Sequence, residues 1–368
     1  MASSPVLDIE ALLVPIADDA PAGEDLRTSV ASPTLYYSLK DLRVAARAAE
    51  RDPSTTSMPR EWHDIATLAP KIMVENSKDL EVVCWYLEAL VRIHGFAGLR
   101  DGFALAQGLV DRFWDTFNSL PADEEGLVTR LMPFTGLNGA GGGGTLLMPI
   151  NNAPITRQAG DLGPYSYFNY EKASELAQRD PEVRAKRAAH GEVTLENFTA
   201  AVTASGGQFY VDLLGDIDGA LTNFNALTAS LEAKAGADSP PSSAIQELLE
   251  TILRNVRGFS GALVASVAPP PAPSEAVSSD EAPGPTAVSA APVRAGAAQS
   301  REDALRQLLQ LAEFFRTSEP QSPVSSMLEE TVRRARMSFS DLLAELLQDK
   351  AVWRSALTNA GIKPPQEG

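Results

Sequence analysis

The sequence predicts a mainly α-helical protein. Three observations predict it. Residues 62–117 carry three amphipathic patterns, with apolar side chains recurring every three or four residues. A second stripe, from Leu195 to Leu231, runs near a 3.5-residue period. The breaks between patterned segments are short, which favours antiparallel neighbours and a bundle. The architecture read from these patterns has four parts. Residues 1–190 form an N-terminal helical bundle, 191–266 a middle helical hairpin, 267–300 a Pro/Ala-rich flexible linker and 301–368 a small C-terminal helical module.

The elements follow in order. Residues 5–20 suggest a short helix between Pro5 and Pro15, and a turn follows at 21–27. Thr34 to Glu50 reads as a helix with Leu35, Leu39, Leu42 and Ala46 on one face, ended by Asp52-Pro53. Trp62, Ile65, Leu68 and Ile72 share a helical face, and Asn76-Ser77 breaks it. From Asp79, an apolar face holds Leu80, Val83, Cys84, Leu87, Leu90 and Val91, with Glu81 and Glu88 outside it. Gly95 ends that helix as a residue that tolerates positive φ. A further helix runs from about Leu99 to Phe117. Residues 118–169, with the Gly139–Gly144 cluster and several prolines, read as loop with a small two-stranded piece. Residues 170–190 read as helical. Thr194 is placed as an N-cap, Gly206-Gly207 as a kink, and the turn at 235–241 as the link of an αα-hairpin.

Residues 267–300 hold only four charged groups and no amphipathic period, the composition of a semi-extended tether. Order is expected again from Ser300. Leu305, Leu308, Leu309, Ala312 and Phe315 make one face, and the break at 318–323 includes Pro323. A second helix over Val324–Arg336 carries Met327, Leu328, Val332 and Ala335, and a third over 340–347 carries Leu342, Leu343, Leu346 and Leu347. About 60 residues make a marginal core, so this module is expected to be stabilised by self-association.

The chain carries a formal net charge of −17 over 368 residues. Residues 1–169 hold 13 basic and 22 acidic groups, 191–262 hold 3 and 9, and 301–368 hold 9 and 10. Such an acidic surface repels phosphate backbones and disfavours nucleic acid as a partner. One cysteine, Cys84, excludes an internal disulfide and fits a reducing compartment. Residues 1–26 lack Lys and Arg, so no secretory signal is read there. No uninterrupted apolar run reaches the ~18 residues of a bilayer span. A cytoplasmic protein without direct membrane insertion is expected.

Nothing in the sequence resembles catalytic machinery. His63, His94 and His190 lie apart without a second ligand at metal spacing, and His94 reads as a last-turn histidine. Cys84 sits on an apolar face and reads as a structural thiol. Gly139–Thr145 invites a phosphate-loop reading, but no Lys follows the last glycine, so a nucleotide-dependent regulator or enzyme is only the alternative. No catalytic, cofactor-binding or metal-binding residue is therefore expected. Arg333, Arg334 and Arg336 form a compact basic cluster, read as a helix end that complements the dipole or as a contact to an acidic partner.

Three blocks carry a family resemblance. PAGEDLR at 21–27, Trp62, and SKDLEVVCWYLEALVRIHGFAGLRDGF at 77–103 resemble the ImpA-type N-terminal domain of the TssA family of type VI secretion. Trp114 and Leu137-Asn138-Gly139 fit the same pattern. Residues 301–347, with Glu-Pro-x-Ser-Pro-Val-Ser and a later Arg-Met, are similar to the C-terminal region of short TssA proteins. The resemblance implies a non-enzymatic structural component that oligomerises, often as a ring, through its C-terminal region. Its implied partners are copies of itself and the baseplate, sheath and tube proteins, with the membrane complex a further candidate. A phage-like baseplate protein outside secretion shares this mechanism. Residues expected at the interface are Leu305, Leu309, Phe315, Pro323, Arg333, Arg334, Arg336 and Leu343.

Overall fold

A computed structural model describes residues 2–29, 33–52, 54–55, 57–121, 126–141, 143–267, 301–318, 321, 323–337 and 345. Among them the chain forms thirteen α-helices, one 3-10 turn and no strand; pairing is limited to isolated bridges. The expected helical class holds for these residues. Two compact units separate, Met1–Pro273 and Ser274–Gly368.

The first unit is organised around α4 (Leu80–Phe113), which is two helices joined at a sharp bend. Gly95, at φ 57°, makes the bend, as its place after His94 predicts. The two halves then fold back on each other. A Cβ on Gly102 would lie 2.5 Å from Leu87 Cδ2, although the two residues would stand about 22 Å apart in a straight helix. Gly98 allows the closest approach, since a Cβ there would meet the Leu90 carbonyl oxygen at 2.3 Å.

The first half of α4 is buried on every side, not on one face: Val82, Trp85, Tyr86 and Glu88 are covered along with the expected apolar positions. Glu88 is thus not on a polar face. Arg43 Nη2 on α2 (Pro33–Arg51) reaches its Oε1 at 2.7 Å. The helix is long and apolar enough to pass a membrane-span test by composition, with 72% of its apolar window buried inside this fold. It is bent at mid-length and serves as the core helix.

α1 (Ile9–Leu12) and α3 (Arg60–Glu75) pack beside it. Residues 118–169 depart from expectation. They hold α5 (Leu127–Asn138) and α6 (Leu147–Asn152), where loop was predicted, and the two-stranded piece shrinks to the bridges Pro154–Ser166 and Ala159–Leu162. Pro133 and Gly136 hide the helical period of α5, which forms because Leu131, Phe134 and Leu137 are buried against the core. α7 (Tyr167–Ala177) and α8 (Pro181–Ala189) fill the 170–190 stretch, and α8 buries none of its residues.

Thr194 caps α9 (Leu195–Ser205) by accepting from Asn197 N. Gly206, at φ 78°, then breaks the chain outright before α10 (Gly207–Ala235). α11 (Ser243–Val267) returns along α10. This hairpin shares one apolar core with the preceding helices, running from Leu12 to Val256. α10 lies against the second half of α4. The Phe103 and Phe224 rings pack at a tilt with centroids 4.9 Å apart, Asn223 Nδ2 donates to the Arg100 carbonyl at 2.9 Å, and Arg100 pairs with Asp216.

The second unit contains α12 (Arg301–Ser318) and α13 (Val324–Arg336), which pack on each other. The expected linker and the expected third C-terminal helix, with Leu343, lie outside the described residues.

Candidate functional site

Two constellations emerge: a C-terminal apolar face and a buried polar knot beneath the N-terminal motifs. In the C-terminal unit, Leu305, Ala312 and Val332 are buried between α12 and α13, with Leu308, Phe315 and Leu328 half-buried. Leu305 therefore belongs to the inside of the hairpin. Leu309 is 36% exposed, and beyond it Leu311 (46%), Phe314 (59%) and Met327 (65%) stand in solvent. Sequence reading placed Met327 on one apolar face with Leu328, Val332 and Ala335, and singled out neither Leu311 nor Phe314. The signal was their i, i+3 spacing off the main stripe of α12. Pro323 is exposed at the N-cap of α13.

Arg333 and Arg334 are held within their own unit. Glu330 and Glu345 accept from Arg333 at 2.7 Å each, and from Arg334 at 2.8 and 3.0 Å. The hydrogen bond from Arg333 pulls the Glu330 carboxyl down to about 2, with the charges of Arg333 and Arg334 adding to it. The same arginine lowers Glu345. All four groups are solvent-facing, so this lattice orients the helix end and leaves little unbalanced charge there. Arg336 is exposed on the same turn.

In the first unit the motif residues meet in space. Lys78 N donates to the Ala22 carbonyl at 2.8 Å and Glu24 N to the Asn76 carbonyl at 3.2 Å, which ties PAGEDLR to NSKDL. Gly23, at φ 70°, is required at this crossing: a Cβ would sit 2.1 Å from Asn76 O. Arg27 donates to Asp79 at 2.6 Å, Glu81 at 2.6 Å and Asp25 at 2.9 Å. Asp79 also caps α4, accepting from Glu81 N and Val82 N. Lys78 is fully buried, with Nζ donating to the carbonyls of Met73 at 2.5 Å and Leu12 at 2.8 Å. Burial pushes its pKa down to about 8. Asn138, from the Leu-Asn-Gly turn, accepts from Ile245 N at 2.9 Å and so starts α11. These residues hold the fold and present no reactive group to a pocket. Sequence reading quoted the motifs but missed that they are one hydrogen-bonded knot.

The other candidates resolve in the same direction. Cys84 is buried, and burial raises its thiol well above the ordinary range, which suits a structural thiol. His94 is exposed at the Gly95 bend; burial of its ring and then His63 lower its pKa. The described residues contain no group of three His, Cys, Asp or Glu that could hold a metal. The Gly139–Thr145 segment lies between α5 and α6, with no strand before it. Thr145 N and Leu146 N are used by the carbonyls of Gly136 and Leu137, at 2.9 and 3.2 Å. The end of that segment is thus tied back to α5.

Comparison with known proteins agrees with the motif geometry. Residues 13–139 match the family described as ImpA, N-terminal, type VI secretion system. Over 355 residues the chain is 28% identical to the type VI secretion system component TssA1 of Pseudomonas aeruginosa, covering 94% of this chain and 96% of that protein. A solved N-terminal domain of the TssA component from Burkholderia cenocepacia, which includes the conserved ImpA_N region, aligns with a TM-score of 0.59 and 27% identity. It covers 71% of this chain and 96% of that one. The chain belongs to the TssA family. It is a type VI secretion system component with an ImpA_N domain. The matched span includes the Gly23–Asn76 crossing, the bent α4 and the turn at Asn138. The knot thus lies within the span that matches the ImpA_N family.

Proposed function

We propose that this TssA chain is a non-enzymatic assembly adaptor that works in the cytoplasm. Its C-terminal region joins copies of the chain, in a ring, and its N-terminal body meets baseplate, sheath and tube proteins, with the membrane complex a further candidate partner. The observation that carries this reading is the row of Leu309, Leu311, Phe314 and Met327 standing in solvent on a two-helix unit. Burying one such side chain contributes about 1.5–3 kcal/mol, so a small unit gains by covering them against a copy of itself. Pro323, Leu343 and the arginines Arg333, Arg334 and Arg336 are the further interface candidates. The near-neutral balance of residues 301–368 imposes little repulsion between copies. Joined copies would hold several N-terminal bodies together and raise their effective concentration toward a shared partner.

The test is molar mass by light scattering of the full chain against residues 1–262. A multiple of the chain mass for the first and a monomer for the second are expected. A monomeric full chain would overturn the reading.

A further inference from the structure

We propose that the N-terminal body carries a cleft that binds an acidic, aliphatic-containing peptide segment of a partner protein. The cleft has a volume of about 1020 Å³ and opens between the C-terminal end of α2, α4, and the α6–α7 region. Three arginines line it, Arg47, Arg51 and Arg92, against the carboxylate of Glu50. Glu50 is already engaged. It accepts from Arg92 Nε at 2.6 Å and from Trp62 Nε1 at 2.8 Å, while the Arg92 guanidinium lies 3.9 Å over the Trp62 ring. Arg47 and Arg51 have no ion pair or hydrogen-bond partner among the described residues. Arg47 is half-buried, and that burial, with Arg43, Arg51 and Arg92 nearby, disfavours its charge; only Glu88 opposes them. In a chain of net charge −17, this is a local cationic site that lacks its counter-charge.

The other lining elements fix the class of ligand. Met148 and Phe168 line the same cleft and are exposed. Thr145, also lining it, has a hydroxyl buried without a hydrogen-bond partner. A ligand that answers all three features has carboxylates for the guanidinium forks, backbone or side-chain polar groups for Thr145, and aliphatic side chains for Met148 and Phe168. An extended peptide carrying glutamate or aspartate beside leucine or isoleucine has that chemistry. A nucleic acid has the anions but meets the repulsion of a chain of net charge −17, and it offers no aliphatic side chains to Met148 and Phe168. The inference goes beyond the adaptor reading, since it names what one surface of the body recognises. Its test does not depend on the mass measurement.

The experiment uses the full chain and a fluorescein-labelled peptide of about eight residues mixing glutamate and leucine, a length suited to a cleft of this volume. Binding is followed by fluorescence anisotropy. Saturable binding is expected, weakened about tenfold by Arg51→Glu, whose exposed side chain makes no contact that folding needs, and similarly by Arg47→Gln. Lys186→Glu, on the exposed helix α8, is expected to leave it unchanged. A peptide of glutamate alone should bind at least about fivefold more weakly, because it leaves Met148 and Phe168 uncovered. Absence of saturable binding would overturn the proposal. So would equal binding by the Arg51→Glu chain, an equal loss on Lys186→Glu, or equal affinity for the all-glutamate peptide.

Discussion

Lys78 shows how a charged side chain can serve a core. Its ammonium satisfies two carbonyls that terminate neighbouring elements, Met73 on α3 and Leu12 on α1, in a place water does not reach. The cost is a depressed pKa, about 8 where an exposed lysine titrates near 10.4. In a carbon-detected NMR titration, Lys78 is expected to move near pH 8, well below the range of an ordinary exposed lysine. The sign for stability follows. Between pH 8 and 10.5 the unfolded chain binds more protons at this residue than the folded one, so stability rises with pH across that window. Below pH 8 both states are protonated and the slope vanishes. Lys78→Met should abolish this increment and, by leaving two carbonyls unsatisfied, lower stability at pH 7 by about 2–4 kcal/mol. A urea series over pH that gives parallel curves for the two chains would refute it. Gly23→Ala tests the same knot from the other side. Its positive φ and the Asn76 carbonyl leave no room for a methyl group, and a loss of about 2 kcal/mol or more in urea denaturation is expected. The motif residues were legible in the sequence as a pattern. Their hydrogen bonds were not, because Ala22, Met73 and Leu12 contribute only backbone carbonyls, which carry no residue-type signal.

Whole helices were legible where one apolar face sufficed. α2, α3, the bend at Gly95 and the cap at Thr194 follow from spacing and from single residues. α4 was misjudged in a physical sense: a helix covered on all sides has no polar face, so Glu88 cannot be told from a solvent residue until Arg43 is placed beside it. α5 was missed because Pro133 and Gly136 lower its local propensity and tertiary burial supplies the difference. Leu87→Asp tests the central role of α4. Leu87 is buried and touches the space over Gly102, where the two halves of the helix meet. An aspartate there removes about 2 kcal/mol of apolar burial and adds an unpaired carboxylate in a low-dielectric core. Loss of the cooperative far-ultraviolet circular dichroism transition of residues 1–262 is expected. A melting temperature within a few degrees of the parent chain would contradict the packing.

At the scale of the whole molecule, the division of labour rests on the contrast between two kinds of apolar residue. In the N-terminal body nearly every large apolar side chain of α4 is covered, so its core needs no second copy. In the C-terminal hairpin, Leu305, Ala312 and Val332 are covered while Leu309, Leu311, Phe314 and Met327 are not. The sequence stripe of α12 put Leu309 on one face with Leu305 and Ala312 and left out Leu311 and Phe314, because periodicity reports apolarity and cannot say which side of a helix its own hairpin uses. Leu309→Asp separates the two roles. It places a carboxylate on the outer set and leaves the buried set intact, so the hairpin can keep its own packing while contact between copies requires burial of a charge. Light scattering of the Leu309→Asp full chain should give monomer mass. With Trp353→Phe added, the urea transition reported by the remaining Trp62, Trp85 and Trp114, all in the N-terminal body, should match that of residues 1–262. Leu305→Asp, at a buried position, should also lose helical signal from the C-terminal unit. If Leu309→Asp kept the parent mass, association would not run through this face. If it shifted the tryptophan transition, the two units would not fold independently.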